Sequence, residues 1–239
     1  MSLAPFVERL KRLARLTEQD ERALHQLPFA KRHIDKGRDA IIKGEAPSYL
    51  YVILDGWAGR YNLRPNGSRR MTGYLLPGDF CGIHAVCHAP MDHSITALTN
   101  CSLAKIELAN FNALATDSPA ISRALWQAKL IDEATLRTWL VNSTDALRTI
   151  AHLLCELEAR LIPDAMDNER KLELPITQEQ LGDALGITPV HVNRIMRQLR
   201  ERGLATVHQG ALHIPDLAAL RKEASFDPSY LHPTHASKV

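Results

Sequence analysis

The sequence is poor in aromatic residues, at 5 %, so stacking bases on exposed rings is not its main binding mode. It also has no excess of charge. The 29 Lys and Arg stand against 27 Asp and Glu, for a net +2. Any nucleic-acid reading must therefore rest on where the cations lie, not on their number. Cysteine is scarce: Cys81, Cys87, Cys101 and Cys155 include no Cys-x-x-Cys pair. In a chain of 239 residues they make no disulfide framework and suit a reducing cytosol. No apolar run approaches the ~20 residues of a membrane span. Residues 1–19 alternate charge with leucine, as a short amphipathic helix does, and carry no signal-peptide apolar block. These absences predict a soluble, cytoplasmic protein with no membrane partner.

What is present changes character along the chain. From His33 to Glu107 glycine is the main punctuation, with Gly37, Gly44, Gly56, Gly67 and Gly78 spaced 7 to 12 residues apart. Between them lie short β-rich runs, such as 49–54 and 71–76. This spacing predicts an all-β sandwich, barrel or jelly roll. Pro65-Asn66-Gly67 is a hairpin turn, because Asn-Gly accepts positive φ at little cost.

Near Asp117 the pattern becomes helical. Ser118-Pro119 reads as an N-cap with proline at the first helical position, and no further glycine or proline appears up to Val141. Ile121, Leu125, Ala128 and Ile131 form one apolar stripe. Trp126, Leu130, Trp139 and Leu140 widen it, so this helix touches more than one neighbour. We expect it to hold a homodimer together, with Leu125 in the contact. Asn142 to Asp145 is a polar hinge before a second helix, whose stripe is Leu147, Ile150, Ala151, Leu154, Leu157 and Leu161. Cys155 beside that stripe reads as inert packing. Residues 163–171 read as loop.

Thr177 with Gln180 then makes a capping box, and Gly186 supplies a tight turn. Thr188-Pro189 opens another helix. Val192, Ile195, Met196 and Leu199 are its core side. At ~100° per residue the opposite face holds Val190, Arg194, Arg197 and Glu201, flanked by His191, Asn193 and Gln198. Residues 203–214 form a small hairpin around Gln209-Gly210. Arginine can pair with guanine and asparagine or glutamine with adenine in the major groove, so this face has base-reading chemistry. A merely solvated face is the plain alternative. The candidate DNA-contacting set is Thr177, Gln178, Thr188, Pro189, Val190, His191, Asn193, Arg194, Arg197 and Gln198.

Taken together, Ile176 to Ile214 resembles the winged helix-turn-helix of the Crp/Fnr superfamily. Gly37 to Gly82, with the phrase Pro77-Gly78-Asp79-Phe80-Cys81-Gly82, resembles that family's cyclic-nucleotide-binding β-roll. The resemblance spans about residues 15–220 in the family's order. It implies an α+β chain with an N-terminal cyclic-nucleotide-binding-like β-roll (jelly roll), a long dimerisation helix and a C-terminal winged helix-turn-helix. The expected divisions are a sensory roll at 1–117, dimerisation helix and hinge at 118–144, DNA-binding domain at 145–225 and a disordered tail at 226–239. It further implies a homodimer on a palindromic double-stranded operator, an unknown small effector, and RNA polymerase as a partner if the protein activates.

By the same resemblance the effector pocket comprises Gly78, Phe80, Gly82, Ile83, His84, His93 and Ser94. Two departures argue against cyclic AMP. Ile83 stands where cyclic-AMP-binding members hold ribose with glutamate, and His93-Ser94 stands where they have Arg-Ser for the phosphate. Isoleucine accepts no hydroxyl, and a neutral histidine is a poor substitute for an arginine fork. With no cysteine before Cys81, the N-terminal iron–sulfur arrangement of some relatives is absent. His84, Cys87 and His88 would share one face of a helical turn, which suits a transition metal, haem or a redox thiol. A loop of ordinary polar residues outweighs that reading, and no metal site is assigned. Two rivals remain: a regulatory module acting through protein contacts, and an enzyme built on this cluster, for which no general base is in view.

Overall fold

The computed structural model describes residues 2–142, 145–163 and 165–231. These form two compact units, one running to Asp132 and the other starting at Glu133.

The first unit begins with α1 (Ala4–Lys11) and α2 (Glu18–Gln26). Helix α1 buries Phe6, Val7 and Leu10, and α2 starts at a capping box made by Thr17 and Asp20. Eight strands follow: β1 (Ala30–Ile34), β2 (Asp39–Ile41), β3 (Tyr49–Asp55), β4 (Ala58–Leu63), β5 (Arg69–Leu75), β6 (Phe80–Cys81), β7 (Ser94–Ala97) and β8 (Cys101–Glu107). They make two four-stranded antiparallel sheets, ordered β1-β8-β3-β6 and β2-β7-β4-β5. Residues from both sheets, including Ile34, Ile41, Ile53, Leu75, Ile95 and Leu103, share one core. This is the expected jelly roll. Strand β3 is buried at five successive positions, because α1 packs on it as well. A strand covered on both faces does not alternate apolar and polar residues. The Asn-Gly turn joins β4 to β5, closed by the Arg64 N–H donating to the Ser68 carbonyl at 2.8 Å.

Next come α3 (Leu108–Asp117) and α4 (Pro119–Val141). The Ser118 hydroxyl caps α4 by accepting from the Ile121 N–H at 3.2 Å and donates to Asp20 at 2.6 Å. Here one expectation needs correcting. Ile121, Leu125, Ala128 and Ile131 are all buried within their own chain, so Leu125 is not a free contact surface. The residues left outside are Trp126, Leu130, Leu136, Leu140 and Val141, with Trp126 73 % and Leu140 75 % exposed. Leu125 and Trp126 are successive residues, about 100° apart. With apolar residues on both stripes, the pattern alone does not say which one the fold covers.

The second unit contains α5 (Ala146–Leu161), β9 (Arg170–Glu173), α6 (Gln178–Leu185), α7 (Pro189–Glu201), β10 (Thr206–His208), β11 (Ala211–Ile214) and α8 (Leu217–Ala224). Asp145 caps α5 by accepting from Leu147 and Arg148 N–H groups. The helix is buried at every position from Ile150 to Glu158, so its single expected stripe extends around the whole circumference. The three strands form an antiparallel sheet, β10-β11-β9.

Two further expectations change. Arg170 and Lys171, read as loop, begin β9 and pair with Ile214 and His213. The start of the supposed tail is packed: Phe226 and Leu231 are buried, and Tyr230 stacks on His152 at 6.0 Å. Three apolar groups in six residues are enough to seat a short turn on a helix, and a composition reading averages them away. Residues 232–239, and the hinge residues Ser143 and Thr144, lie outside the described residues. Among the described residues no helix is long and apolar enough to cross a membrane.

Candidate nucleic-acid interface and effector cassette

The surface built by α6 and α7 follows from their caps. The Thr177 hydroxyl accepts from the Gln180 N–H at 3.2 Å, and the Gln180 side chain accepts from the Thr177 N–H at 2.8 Å. Gly186 ends α6 with φ +73°. Gly182 lets the turn fold back against the helix, since a Cβ there would lie 2.6 Å from the Ile187 carbonyl oxygen. Thr188 then caps α7 by accepting from the His191 N–H. Val192 and Leu199 are wholly buried and Ile195 nearly so. With ~1.5–3 kcal/mol gained per fully buried side chain of this kind, they fix which face of α7 points outward.

That outward face carries most of the candidate contact set. Thr177, Gln178, Thr188, Pro189, Asn193, Arg194 and Arg197 are exposed, Val190 is 80 % exposed, and His191 and Gln198 are half-buried. Asn193 donates to the Gln178 side chain at 3.3 Å, joining α7 to the start of α6. Arg194 approaches His191 Nε2 at 2.9 Å. A guanidinium only donates, so the ring nitrogen accepts. Arg197 pairs with Glu201 at 2.8 Å, both partners exposed. Beside α7 lies a cleft of about 180 Å³ lined by Gln178, Asn193, Arg197, Arg200, Thr206 and Val207, among others. Its far wall belongs to the β10–β11 hairpin, whose Gln209 and Gly210 both have positive φ, the conformation of a two-residue I′ turn.

The cassette of the roll is more closed. Gly78, Phe80, Gly82 and Ser94 are buried, while Ile83, His84 and His93 are partly so. Phe80 meets Phe6 edge-on at 6.0 Å, and Lys129 of α4 lies 4.6 Å over its ring. The Ser94 hydroxyl accepts from the Lys43 N–H at 2.9 Å. Residues Ile83–Cys87 form a 3-10 turn, and His88 follows with φ +51°. The His84, Cys87 and His88 grouping therefore gives way to a different one. Among the described residues the donor atoms close enough to share a metal come from His84, Asp92 and His93. His84 Nε2 and His93 Nδ1 approach the same Asp92 oxygen, at 3.2 and 2.5 Å.

Burial acts to raise the Asp92 carboxyl, but the His93 hydrogen bond and both histidines outweigh it and hold it below the usual range. His93 is lowered, chiefly by burial, against the pull of Asp92. Sequence reasoning missed Asp92, although Asp92-His93 is an acid–imidazole pair in plain view. It also missed Arg60, which binds Asp132 of α4 at 2.8 Å, with Lys129 on the same carboxylate. Burial pushes Cys81 up to about 11 and Cys155 up to about 12 and raises Cys101. These three are protonated thiols near neutral pH, which agrees with the packing role read for Cys155.

Residues 31–118 match the model of the cyclic nucleotide-binding domain, and residues 148–223 match the Crp-like helix-turn-helix domain. The transcriptional activator protein FnrL of Cereibacter sphaeroides is 23 % identical over 90 % of this chain and 88 % of its own. The cAMP-activated global transcriptional regulator CRP of Salmonella typhimurium is 26 % identical over 70 % of this chain and 81 % of its own. Among solved structures, FixK2 from Bradyrhizobium japonicum superposes with a TM-score of 0.70 at 20 % identity, covering 89 % of this chain and all of that one. Two family domains in the family's order, and full-length relatives that are regulators, establish that the chain belongs to the Crp/Fnr superfamily of transcription regulators.

Proposed function

We propose that the protein acts as a homodimer on a two-fold symmetric DNA site, with α7 of each protomer in the major groove. The carrying observation is the outward face of α7, where Val190, Asn193, Arg194 and Arg197 stand exposed over a buried apolar side. A second helix presented after a tight turn is the element that helix-turn-helix proteins place in the groove. Thr177 and Gln178, at the start of α6, suit backbone contacts there. Anisotropy titrations of operator and random duplex against salt test this. Affinity should fall steeply as salt rises, because bound phosphates release counterions. Binding that is flat in salt, or equal on all sequences, would favour a module acting through protein contacts.

The second copy belongs on the outer face of α4. Trp126, Leu130, Leu140 and Val141 project there, with Glu133 and Arg137 forming an ion pair on the same stripe. Leu130→Asp should convert the dimer to monomer in sedimentation without unfolding the roll. Leu125→Asp should unfold it instead, by burying an unpaired charge.

The roll receives the controlling signal, and its cassette is suited to something other than cyclic AMP. Ile83 offers no acceptor, and Asp92 sets a carboxylate against His93, where a cyclic phosphate would have to sit. Calorimetry with cyclic AMP should show no binding at micromolar concentrations.

A further inference from the structure

We propose that His84, Asp92 and His93 form a binding site for one divalent transition-metal ion in the cassette of the roll. The three residues come from two segments, the 3-10 turn after Gly82 and the loop before β7. Their donor atoms all lie within 4.8 Å of one another. Both imidazoles are largely withdrawn from solvent, with side chains 25 % and 16 % exposed, and their rings meet edge-to-face at 5.5 Å. Two ring nitrogens approach one carboxylate oxygen, the arrangement that an ion between them would hold.

Metal–nitrogen and metal–oxygen bonds of about 2.0–2.2 Å put neighbouring donors roughly 3.4 Å apart in a tetrahedral site. The His84–Asp92 separation of 3.2 Å is already near that value. The His93–Asp92 separation of 2.5 Å is too short and must open by roughly 1 Å to reach it. Asp92 can supply that movement, since its side chain is 77 % exposed.

The donor set selects the class of ion. Two imidazoles and one carboxylate suit Zn²⁺, Fe²⁺, Co²⁺ or Ni²⁺ and leave coordination positions open, whereas Mg²⁺ and Ca²⁺ prefer oxygen alone. His84 Nδ1 is buried without a hydrogen-bond partner, and an ion on Nε2 would leave an N–H there. That holds the affinity to the micromolar range rather than the nanomolar one. The site also has a route to α4, because β7, which His93 immediately precedes, pairs with β4 at Arg60, and Arg60 is paired with Asp132. A dication in the cassette would add positive charge beside the strand pair that carries Arg60. This regulatory meaning rests on reading the roll as a sensor; the binding does not.

The untagged full-length protein, stripped with chelator and free of DNA, is titrated with Zn²⁺ by calorimetry and with Co²⁺ by visible absorption. One ion per chain is expected, with a Kd of about 1–10 µM and cobalt bands of a nitrogen–oxygen site. Asp92→Ala and His84→Ala should each weaken Zn²⁺ by at least ~100-fold, the upper cost of losing even an outer-shell partner. Asp92→Ala changes an exposed residue, so its fold is secure, and Zn²⁺ should raise the melting temperature of wild type but not of this variant. Cys87→Ser, His88→Ala and a His232→Ala/His235→Ala double variant should bind as wild type does. Loss of binding in any of those controls, or wild-type affinity in Asp92→Ala and His84→Ala, overturns the proposal. Because DNA is absent, failure here leaves the groove-reading proposal untouched.

Discussion

Helices α5 and α7 belong to the same unit and both carry several ionisable groups, but they place them on opposite sides of the fold. In α5 several of these groups are inside. Glu158 is buried between Arg170 at 2.6 Å and Arg221 at 3.1 Å. Glu156 is buried as an acceptor for Trp139 and Tyr230, with Arg160 at 3.4 Å. His152 packs against the rings of Phe226 and Tyr230, which also meet each other. In α7 Arg194 and Arg197 are outside, tied to His191 and Glu201 on the same surface. Buried charges survive only when paired, so breaking a pair in α5 destabilises the unit. Exposed pairs contribute little to stability, so the arginines of α7 remain available to a partner. Changes in α5 should therefore alter folding, and changes in α7 should alter binding.

The largest effect is expected inside. Glu158→Ala leaves Arg170 buried with its main partner gone, which should cost about 3–5 kcal/mol of unfolding free energy. Urea denaturation reads this directly, and the folded fraction should still bind DNA normally. Replacing Glu158 and Arg170 together by Leu and Met should recover most of the loss. A loss below about 1 kcal/mol for the single variant would erase the contrast between the helices.

Outside, Arg194→Ala should cost about 1–3 kcal/mol per half-site on the cognate operator and relax preference at one base pair. Its urea midpoint should match wild type. A shift in stability with no change in affinity would assign Arg194 to the scaffold and break the comparison from the other side.

A pH dependence tests the interior again. Burial holds His152 down to about 4, so the folded state keeps it neutral. The unfolded state takes up its proton near 6.5. The stabilisation is therefore complete above about pH 6.5 and declines as the pH falls toward 4. Between pH 7 and 5 the loss should be about 2 kcal/mol. Glu156, one turn along, is raised chiefly by burial and works in the opposite sense. Because it acts in both proteins, the difference between wild type and His152→Phe isolates the histidine. Parallel pH curves would remove it from the account.

The smallest effect is expected at Arg197. Its pair with Glu201 is exposed at both ends, so Arg197→Ala should move stability by no more than about 0.5 kcal/mol. On DNA it should weaken cognate and random duplex alike and reduce the salt slope by about one. Glu201→Ala, by freeing the guanidinium, should tighten both slightly. Selective loss on the cognate operator alone would make Arg197 a base reader.

The same contrast explains how much could be read beforehand. The face of α7 was legible because caps, a turn glycine and one clean apolar side all agree locally. The charges of α5 were not, because Glu158 and Arg170 are neighbours only through a strand that looks like loop. The outer face of α4 was ambiguous, since Leu125 and Trp126 are equally apolar and only tertiary packing decides between them. In the cassette, the expected grouping of His84, Cys87 and His88 assumed α-helical spacing. The 3-10 turn and the left-handed His88 send that segment elsewhere, and Asp92 returns from the next loop to take up the place.

Tyr230 lies beyond the region matched by the helix-turn-helix domain model, which ends at residue 223. Its hydroxyl nevertheless donates to the buried Glu156 at 2.9 Å, and its ring and that of Phe226 cover His152. A DNA-binding domain excised at the family's limit would thus be cut through its own wall. It would open a carboxylate and an imidazole to water at the centre of α5. The natural edge of this domain is set by where the last buried polar group finds its partner, and a fragment meant to fold alone has to run through Leu231.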